Sequence, residues 1–256
     1  MRFQSHQSLL TGYLYPSDSP KSPTLIFTHE FMGRGDIWDI GSILSNNGIN
    51  VFMFDFRGCF QSEGKQSLMN SQEDIEAAIN FLSSKEIVSR YDIDTSNFIL
   101  GGYSYGGHMS MLYAIYHLEI KRVISISGGD LGILAEIFKS NSDLRKSYSN
   151  FFQTLKKPEG LVDFQYADPI EELLENQEYF YILKKADKFA GTDVLLIGGK
   201  DDSTVSIEDY MLPLYRALEK NKEQNAKFII YQTGHSYINV QENLIKDIEN
   251  WIKNKK

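Results

Sequence analysis

Gly102-Tyr103-Ser104-Tyr105-Gly106 joins a short apolar run, Phe98-Ile99-Leu100, to a helix-forming run, His108-Met109-Ser110-Met111-Leu112-Tyr113-Ala114-Ile115. The first run has the length of a buried strand, and the second reads as the helix behind it. A serine on a strand-to-helix turn is held in a strained backbone conformation, with its hydroxyl pushed out of the sheet. Gly102 and Gly106 flank it because a side chain there collides with the turn or with the neighbouring strand and helix. G-x-S-x-G is common by chance in glycine-rich loops. Here it arrives with the strand and helix that the motif requires, so it reads as a nucleophile elbow.

The chain has 256 residues, enough for one large α/β domain with a sizeable core. A net charge of −8 argues against a nucleic-acid or anionic-membrane partner, and the short Lys253-Asn254-Lys255-Lys256 tail reads as a solvated helix end. The single cysteine, Cys59, excludes an internal disulfide framework and suits a reducing compartment. Met1 to Gln7 lacks the apolar core of a signal peptide, and no apolar stretch approaches a membrane span. A cytoplasmic location is the expectation, with oligomeric state left open.

Working outward from the elbow, strands alternate with helices, the pattern of a mainly parallel sheet with helices on both faces. Two short extended segments end near Tyr13-Leu14-Tyr15-Pro16. Thr24-Leu25-Ile26-Phe27-Thr28 and Asn50-Val51-Phe52-Met53-Phe54-Asp55 are strand-length apolar runs, with helical spacing from Ile37 to Asn46 between them. Ser71 is expected to begin a helix with a capping box to Asp74, placing Ile75, Ala78, Ile79 and Leu82 on one face. After the elbow come Val123-Ile124-Ser125-Ile126-Ser127, Val194-Leu195-Leu196-Ile197-Gly198 and Lys227-Phe228-Ile229-Ile230-Tyr231. A final helix, Gln241 to Lys253, turns Leu244, Ile248 and Trp251 inward.

The interval 130–190 breaks this rhythm. It is too long for a connecting loop and carries helical patterns such as Asp168-Pro169-Ile170-Glu171-Glu172-Leu173-Leu174. It reads as a helical cap or lid over the carboxyl edge of the sheet, where ligands bind in open α/β folds. Residues 1–129 and 191–256 then form the core. The insertion's aromatics (Phe138, Tyr148, Phe151, Phe152, Phe164, Tyr166, Tyr179, Phe180 and Tyr181) either line an acyl or aryl pocket or form a small core of their own.

A serine hydroxyl is a poor nucleophile until a base takes its proton, and the base needs an orienting carboxylate. Five histidines permit elimination. His6 precedes the first strand, His117 lies at the far end of the helix behind the elbow, and His108 is one turn into that helix, placed to pack or cap. His29 follows a strand, in a loop with another task. His235, in Thr233-Gly234-His235-Ser236 just after the last strand, stands on the edge where the elbow opens. Gly198-Gly199-Lys200-Asp201-Asp202-Ser203-Thr204-Val205 supplies two acids. A valine three residues beyond the acid, a spacing recurrent in such enzymes, selects Asp202 over Asp201. The developing oxyanion needs backbone N–H groups aimed at it. Tyr105, directly after the serine, and Phe31, in His29-Glu30-Phe31-Met32-Gly33, are the expected donors.

These residues together resemble the α/β-hydrolase superfamily along essentially the whole chain. The resemblance rests on the elbow, the HxxxG-type loop, the late Asp and His, and Asp55-Phe56-Arg57-Gly58-Cys59-Phe60-Gln61-Ser62-Glu63-Gly64. That last segment is similar to the D-x-R-G-x-G-x-S-x-G turn of esterases and serine aminopeptidase-like members. Gly102-Tyr103-Ser104-Tyr105-Gly106-Gly107 is similar to the elbow of prolyl-oligopeptidase-type peptidases, whose propeller domain has no room in this length. The order Ser, Asp, His also matches this fold class. The motifs specify fold and triad well and substrate poorly.

Two positions depart from the pattern. Glu30 stands where glycine is usual, and it can oppose a developing negative charge, join a bracing network, or select a cationic group on the substrate. Phe60 replaces a usual glycine after Arg57. Cys59 reads as a small buried filler. The resulting expectation is a serine hydrolase of the carboxylesterase type, acting on a small-molecule acyl ester, thioester or amide without metal or organic cofactor. Ser104 is the nucleophile, His235 the base and Asp202 its orienting acid. Aminopeptidase or amidase chemistry, acyl transfer, and a non-catalytic binding module on the same scaffold remain as alternatives.

Overall fold

The computed structural model describes residues 1–31, 37–158, 160–220 and 225–254. Met32 and Gly33 of the expected oxyanion loop and the terminal Lys255-Lys256 lie outside the described residues. The strands are β1 (Arg2–Ser5), β2 (Ser8–Tyr15), β3 (Thr24–Thr28), β4 (Asn50–Phe54), β5 (Phe98–Tyr103), β6 (Arg122–Ile126), β7 (Asp193–Gly199) and β8 (Asn225–Tyr231). The helices are α1 (Ile40–Asn46), α2 (Leu68–Leu82), α3 (Lys85–Tyr91), α4 (Tyr105–Tyr116), α5 (Leu131–Ser140), α6 (Ser142–Leu155), α7 (Pro169–Glu175), α8 (Gln177–Phe180), α9 (Leu212–Glu219) and α10 (Gln241–Lys253).

The eight strands make one sheet in the order β1-β2-β4-β3-β5-β6-β7-β8. β1–β2 and β2–β4 pair antiparallel, and every pairing from β4 through β8 is parallel. This is the α/β-hydrolase arrangement. The central strands are buried on both faces, which is why they read as continuous apolar runs rather than alternating ones. Successive residues nevertheless serve opposite cores: Leu25 and Phe27 join the cluster with Ile40, Leu44, Leu244 and Ile248, whereas Ile26 joins the one with Ile75, Met109 and Leu112. No described helix is long and apolar enough to cross a membrane.

One helix starts elsewhere than expected. α2 begins at Leu68, and its N-cap is Ser67, whose Oγ accepts from the Asn70 N–H at 3.1 Å. Ser71 and Asp74 are inside the helix because both are drawn into other bonds. Asp74 takes the backbone N–H and the guanidinium of Arg57 and the Ser5 hydroxyl, while Ser71 shares a 2.8 Å bond with the Tyr105 hydroxyl. The first free N–H groups of α2 go instead to Glu172 of α7, at 2.7 Å from Leu68 and 3.1 Å from Met69. A carboxylate at a helix N-terminus is favoured by both the free donors and the dipole.

The segment between β6 and β7 holds α5 to α8 and packs back on the sheet's carboxyl edge. Besides Glu172, bridges Cys59 to Val162 and Gln66 to Phe164 bind it to the turn after β4.

The β5–α4 junction is sterically closed. A methyl group on Gly106 would meet the Thr28 carbonyl, with its carbon at 2.5 Å and the His29 oxygen at 2.6 Å. Gly106→Ala is therefore expected to destabilise the fold by about 2–3 kcal/mol or more, the cost of overpacking a closed site. Gly129→Ala, whose methyl meets nothing nearer than 3.6 Å, should stay within about 0.5 kcal/mol. Urea denaturation of the two variants checks this, and equal midpoints would contradict the packing argument.

Candidate active site

Ser104 is the junction residue between β5 and α4, with φ 53° and ψ −116°. Its N–H donates to the Ile126 carbonyl at 2.8 Å, and its carbonyl accepts from His108 N at 3.1 Å. Both backbone groups are thus committed, and the side chain is left to project outward. Beneath it the Thr28 hydroxyl bridges the Gly106 carbonyl (2.8 Å), the Gly101 carbonyl (3.1 Å) and the Ser110 hydroxyl (3.0 Å). This fully buried knot ties β3, β5 and α4 together at the turn.

The loops after β7 and β8 bring Asp202 and His235 to the same edge. His235 Nε2 lies 3.1 Å from Ser104 Oγ, and its Nδ1 lies 2.7 Å from Asp202 Oδ2. Asp202 Oδ2 also accepts from the Ser127 hydroxyl at 2.8 Å. Its Oδ1 accepts from the N–H groups of Thr204 and Val205 at 2.9 and 2.8 Å. Burial works against the ionised form of Asp202. The donors from His235, Val205 and Ser127 outweigh it, so the carboxyl lies below its usual range. Asp201, by contrast, is exposed and takes a side-chain bond from Gln232.

Three supporting residues were not singled out from sequence. Ser127, at φ 43°, links Asp202 to the Tyr237 hydroxyl (2.7 Å), which also lies 3.1 Å from the Ile197 carbonyl. The Tyr103 hydroxyl donates to the backbone carbonyl of His235 at 2.6 Å, with the two rings 5.1 Å apart. Tyr103 and Tyr237 sit within two residues of Ser104 and His235 respectively, and that adjacency was the only available signal.

The other histidines take structural places. His29 is buried, its Nδ1 bonded to the Glu30 carbonyl and its Nε2 accepting from Phe56 N at 3.4 Å. Its ring fixes the segment after β3 to the turn after β4. His108 bonds the Gly129 carbonyl through Nδ1 at 2.9 Å. His6 and His117 lie beside Glu73 and Glu119 respectively. Phe60 adopts φ 46°, the left-handed conformation that explains why glycine is usual there, and it does not line the cavity. Burial, with Asp55 and Asp74 nearby, pushes the Cys59 thiol well above its ordinary range, so it is inert packing.

Ser104 and His235 open into a cavity of about 370 Å³. Its walls are mostly apolar: Leu131, Leu134 and Phe138 from α5, Tyr148, Phe151 and Phe152 from α6, and Ile170 and Leu173 from α7. Four of the insertion's ten aromatics therefore face the cavity. Phe164 instead packs on Phe31 and Phe152, and Phe180 approaches His108. Phe31 and Tyr105 both reach the cavity wall, their rings edge to face at 4.8 Å, and Glu30 lines the cavity beside them.

With this geometry in place, comparison with known proteins is informative. Residues 73–240 match the family model described as BAAT / Acyl-CoA thioester hydrolase C terminal. The chain belongs to that family. Among solved structures it resembles Est1E from Butyrivibrio proteoclasticus, seen with ferulic acid bound, at TM-score 0.71 and 17% identity over 98% of this chain and 97% of that one. At that identity the likeness speaks for the fold. Among curated proteins, the uncharacterized protein YfhR of Escherichia coli (strain K12) is 32% identical over 103 residues, 38% of this chain and 34% of its own length. A proline iminopeptidase of Saccharolobus solfataricus is 25% identical over 138 residues, 54% of this chain and 42% of its own. The chain thus matches about a third to two fifths of these relatives' lengths. The names among these matches include a thioester hydrolase and an iminopeptidase.

The two buried histidines imply a pH dependence of stability. Burial lowers His108 from 6.5 to about 3 and His29 from 6.5 to about 4, despite the backbone bonds at Gly129 and Glu30. The unfolded chain therefore binds protons that the folded chain refuses, and stability falls as pH drops below 6.5. Each histidine contributes a slope of up to ~1.4 kcal/mol per pH unit within its window. His108→Gln removes one of the two, so its stability should fall less steeply than wild type between about pH 6.5 and pH 4.5. Parallel slopes in urea denaturation would count against a neutral His108.

Proposed function

We propose that this protein is a serine hydrolase that cleaves a small acyl ester or thioester through an acyl-enzyme intermediate, with Ser104 as nucleophile. The observation that carries the reading is the Ser104–His235–Asp202 chain of 3.1 and 2.7 Å contacts at the mouth of a largely apolar cavity.

His235 takes the Ser104 proton as Oγ attacks the substrate carbonyl, and Asp202 holds the imidazole with Nδ1 protonated and Nε2 free to accept. The imidazolium so formed is stabilised by a carboxylate whose remaining lone pairs are already hydrogen-bonded. Negative charge on the carbonyl oxygen is met by the backbone N–H groups of Tyr105 and Phe31. His235 returns the proton to the leaving alcohol or thiol. A water then repeats the sequence on the acyl-enzyme, with His235 again as base, and frees Ser104.

The cavity is large enough for a short or aromatic acyl group, and its apolar walls reward burial of such a group. That composition supports a carboxylesterase-type substrate, and the family description adds a thioester to the same chemistry. An amide asks more of the same residues, since its nitrogen must be protonated before it leaves.

A fluorophosphonate probe reports an activated serine whatever the natural substrate. Wild type should gain one adduct by intact mass, and Ser104→Ala none. Ester turnover should fall at least about a thousandfold in Ser104→Ala, because the nucleophile and base act as a unit. The melting temperature should barely move, since alanine tolerates φ 53° no worse than serine and no buried bond to Oγ other than that of His235 is lost. Unaltered turnover in that variant would sink the assignment.

A further inference from the structure

Glu30 is the one carboxylate in the cavity wall, among the described residues, whose charge is not already consumed by protein donors. The other acid there, Asp130, caps α5 through the N–H groups of Gly132 and Ile133 at 2.8 and 3.3 Å, and takes Leu183 N–H at 2.7 Å. Among the described residues no cation lies in ion-pairing distance of Glu30, and no donor bonds its side chain. It is half-buried on the same wall as Ser104 and His235.

Such a group has two consequences for the reaction proposed above, on which this inference rests. An ionised carboxylate in an apolar pocket is held at a cost, and burial accordingly pushes Glu30 above its ordinary value, with the nearby His235 pulling the other way. Its negative charge also stands on the loop that should supply an oxyanion donor, where it opposes the charge that develops on the substrate carbonyl. A neutral acyl ester leaves both penalties in place. A substrate with its own positive charge near the scissile bond removes both, pairing with Glu30 in the ground state and cancelling its field as the oxyanion forms.

We propose that Glu30 is a specificity-determining residue, and that the preferred substrate carries an ammonium group close to the scissile carbonyl. The rest of the apolar cavity then holds the remainder of that substrate. The discrimination belongs to kcat as well as KM, because part of it appears only when the oxyanion does.

Matched substrates test this. On the acyl side, ethyl esters of alanine, lactate and isobutyrate place ammonium, hydroxyl or methyl at one position. On the alcohol side, butyrylcholine and 3,3-dimethylbutyl butyrate differ only in charge. In at least one set the cationic member should have the higher kcat/KM, and Glu30→Gln should shrink that preference about tenfold or more, the scale of a charge-assisted bond. Comparing the two proteins cancels the intrinsic activation of an ester by its α-ammonium. Fluorophosphonate labelling of Glu30→Gln verifies an intact site.

No cationic preference in either set, or a preference that survives in Glu30→Gln, would overturn the proposal. Calorimetric titration of the Ser104→Ala protein, with and without Glu30→Gln, reads discrimination within the butyrate pair without turnover. Absent turnover with Glu30-dependent binding of butyrylcholine would remove the serine mechanism and keep the cation site. Turnover without that preference would do the reverse, and failure of both proteins to bind either butyrate, with no turnover, would end both.

Discussion

The close approach of β3 to the start of α4 governs everything downstream of it. Gly102 and Gly106 have no room for a methyl group because the Thr28 hydroxyl and the Thr28 and His29 carbonyls occupy that space. With the helix pressed against the strand, the chain can turn only at Ser104, in a left-handed conformation that costs a non-glycine residue about 1 kcal/mol or more. The strain is over-determined by the bonds to Ile126 and His108 and by the Thr28–Ser110 knot, so it persists. Its product is a serine hydroxyl that cannot fold back on its own helix and is available to a base from another loop.

His235 and Asp202 are placed by the same logic applied to the other end of the sheet. Parallel strands β6, β7 and β8 end on one edge, so the residues that follow them are neighbours although widely separated in sequence. Asp202 is held by two N–H groups of its own turn and by Ser127, the residue that closes β6. Ser127 is braced in turn by Tyr237 from the loop that carries His235. The imidazole is thus positioned by a carboxylate with no freedom left, and by Tyr103 gripping its backbone. A low-dielectric setting strengthens each of these bonds, and it also makes an incomplete network expensive, which is why every Asp202 lone pair is spoken for.

What could be read in advance divides along the range of the interactions. The strands of the parallel sheet, the elbow and the late Asp and His were legible because each is signalled within a few residues: an apolar run, a glycine pair, a turn after a strand. The start of α2 was not. Ser71 and Asp74 carry the local capping signature, but Arg57 and Tyr105 claim them from a distance, and Glu172, about a hundred residues away, supplies the charge at the real N-terminus. Ser127 and Tyr237 were invisible for the same reason, since a serine closing a strand and a tyrosine in a loop carry no local mark of a shared bond. Among the aromatics of the insertion, composition could not divide Phe138, Tyr148, Phe151 and Phe152, which face the cavity, from Phe164 and Phe180, which do not.

The insertion is therefore more than a lid laid on a finished site. Glu172 completes the N-terminus of α2, whose Ser71 bonds the Tyr105 hydroxyl, and Tyr105 directly follows Ser104. Gln66, bridged to Phe164, donates to that same hydroxyl at 3.1 Å. Phe152 and Phe164 close on Phe31, which faces Tyr105 across 4.8 Å. The helices that wall the cavity and the two residues proposed to hold the oxyanion are thus one packed unit. A substitution in α6 or α7 that reshapes the cavity also shifts the packing around Phe31 and Tyr105, so under the proposed mechanism substrate range and catalytic rate are coupled through these two residues rather than separable by region.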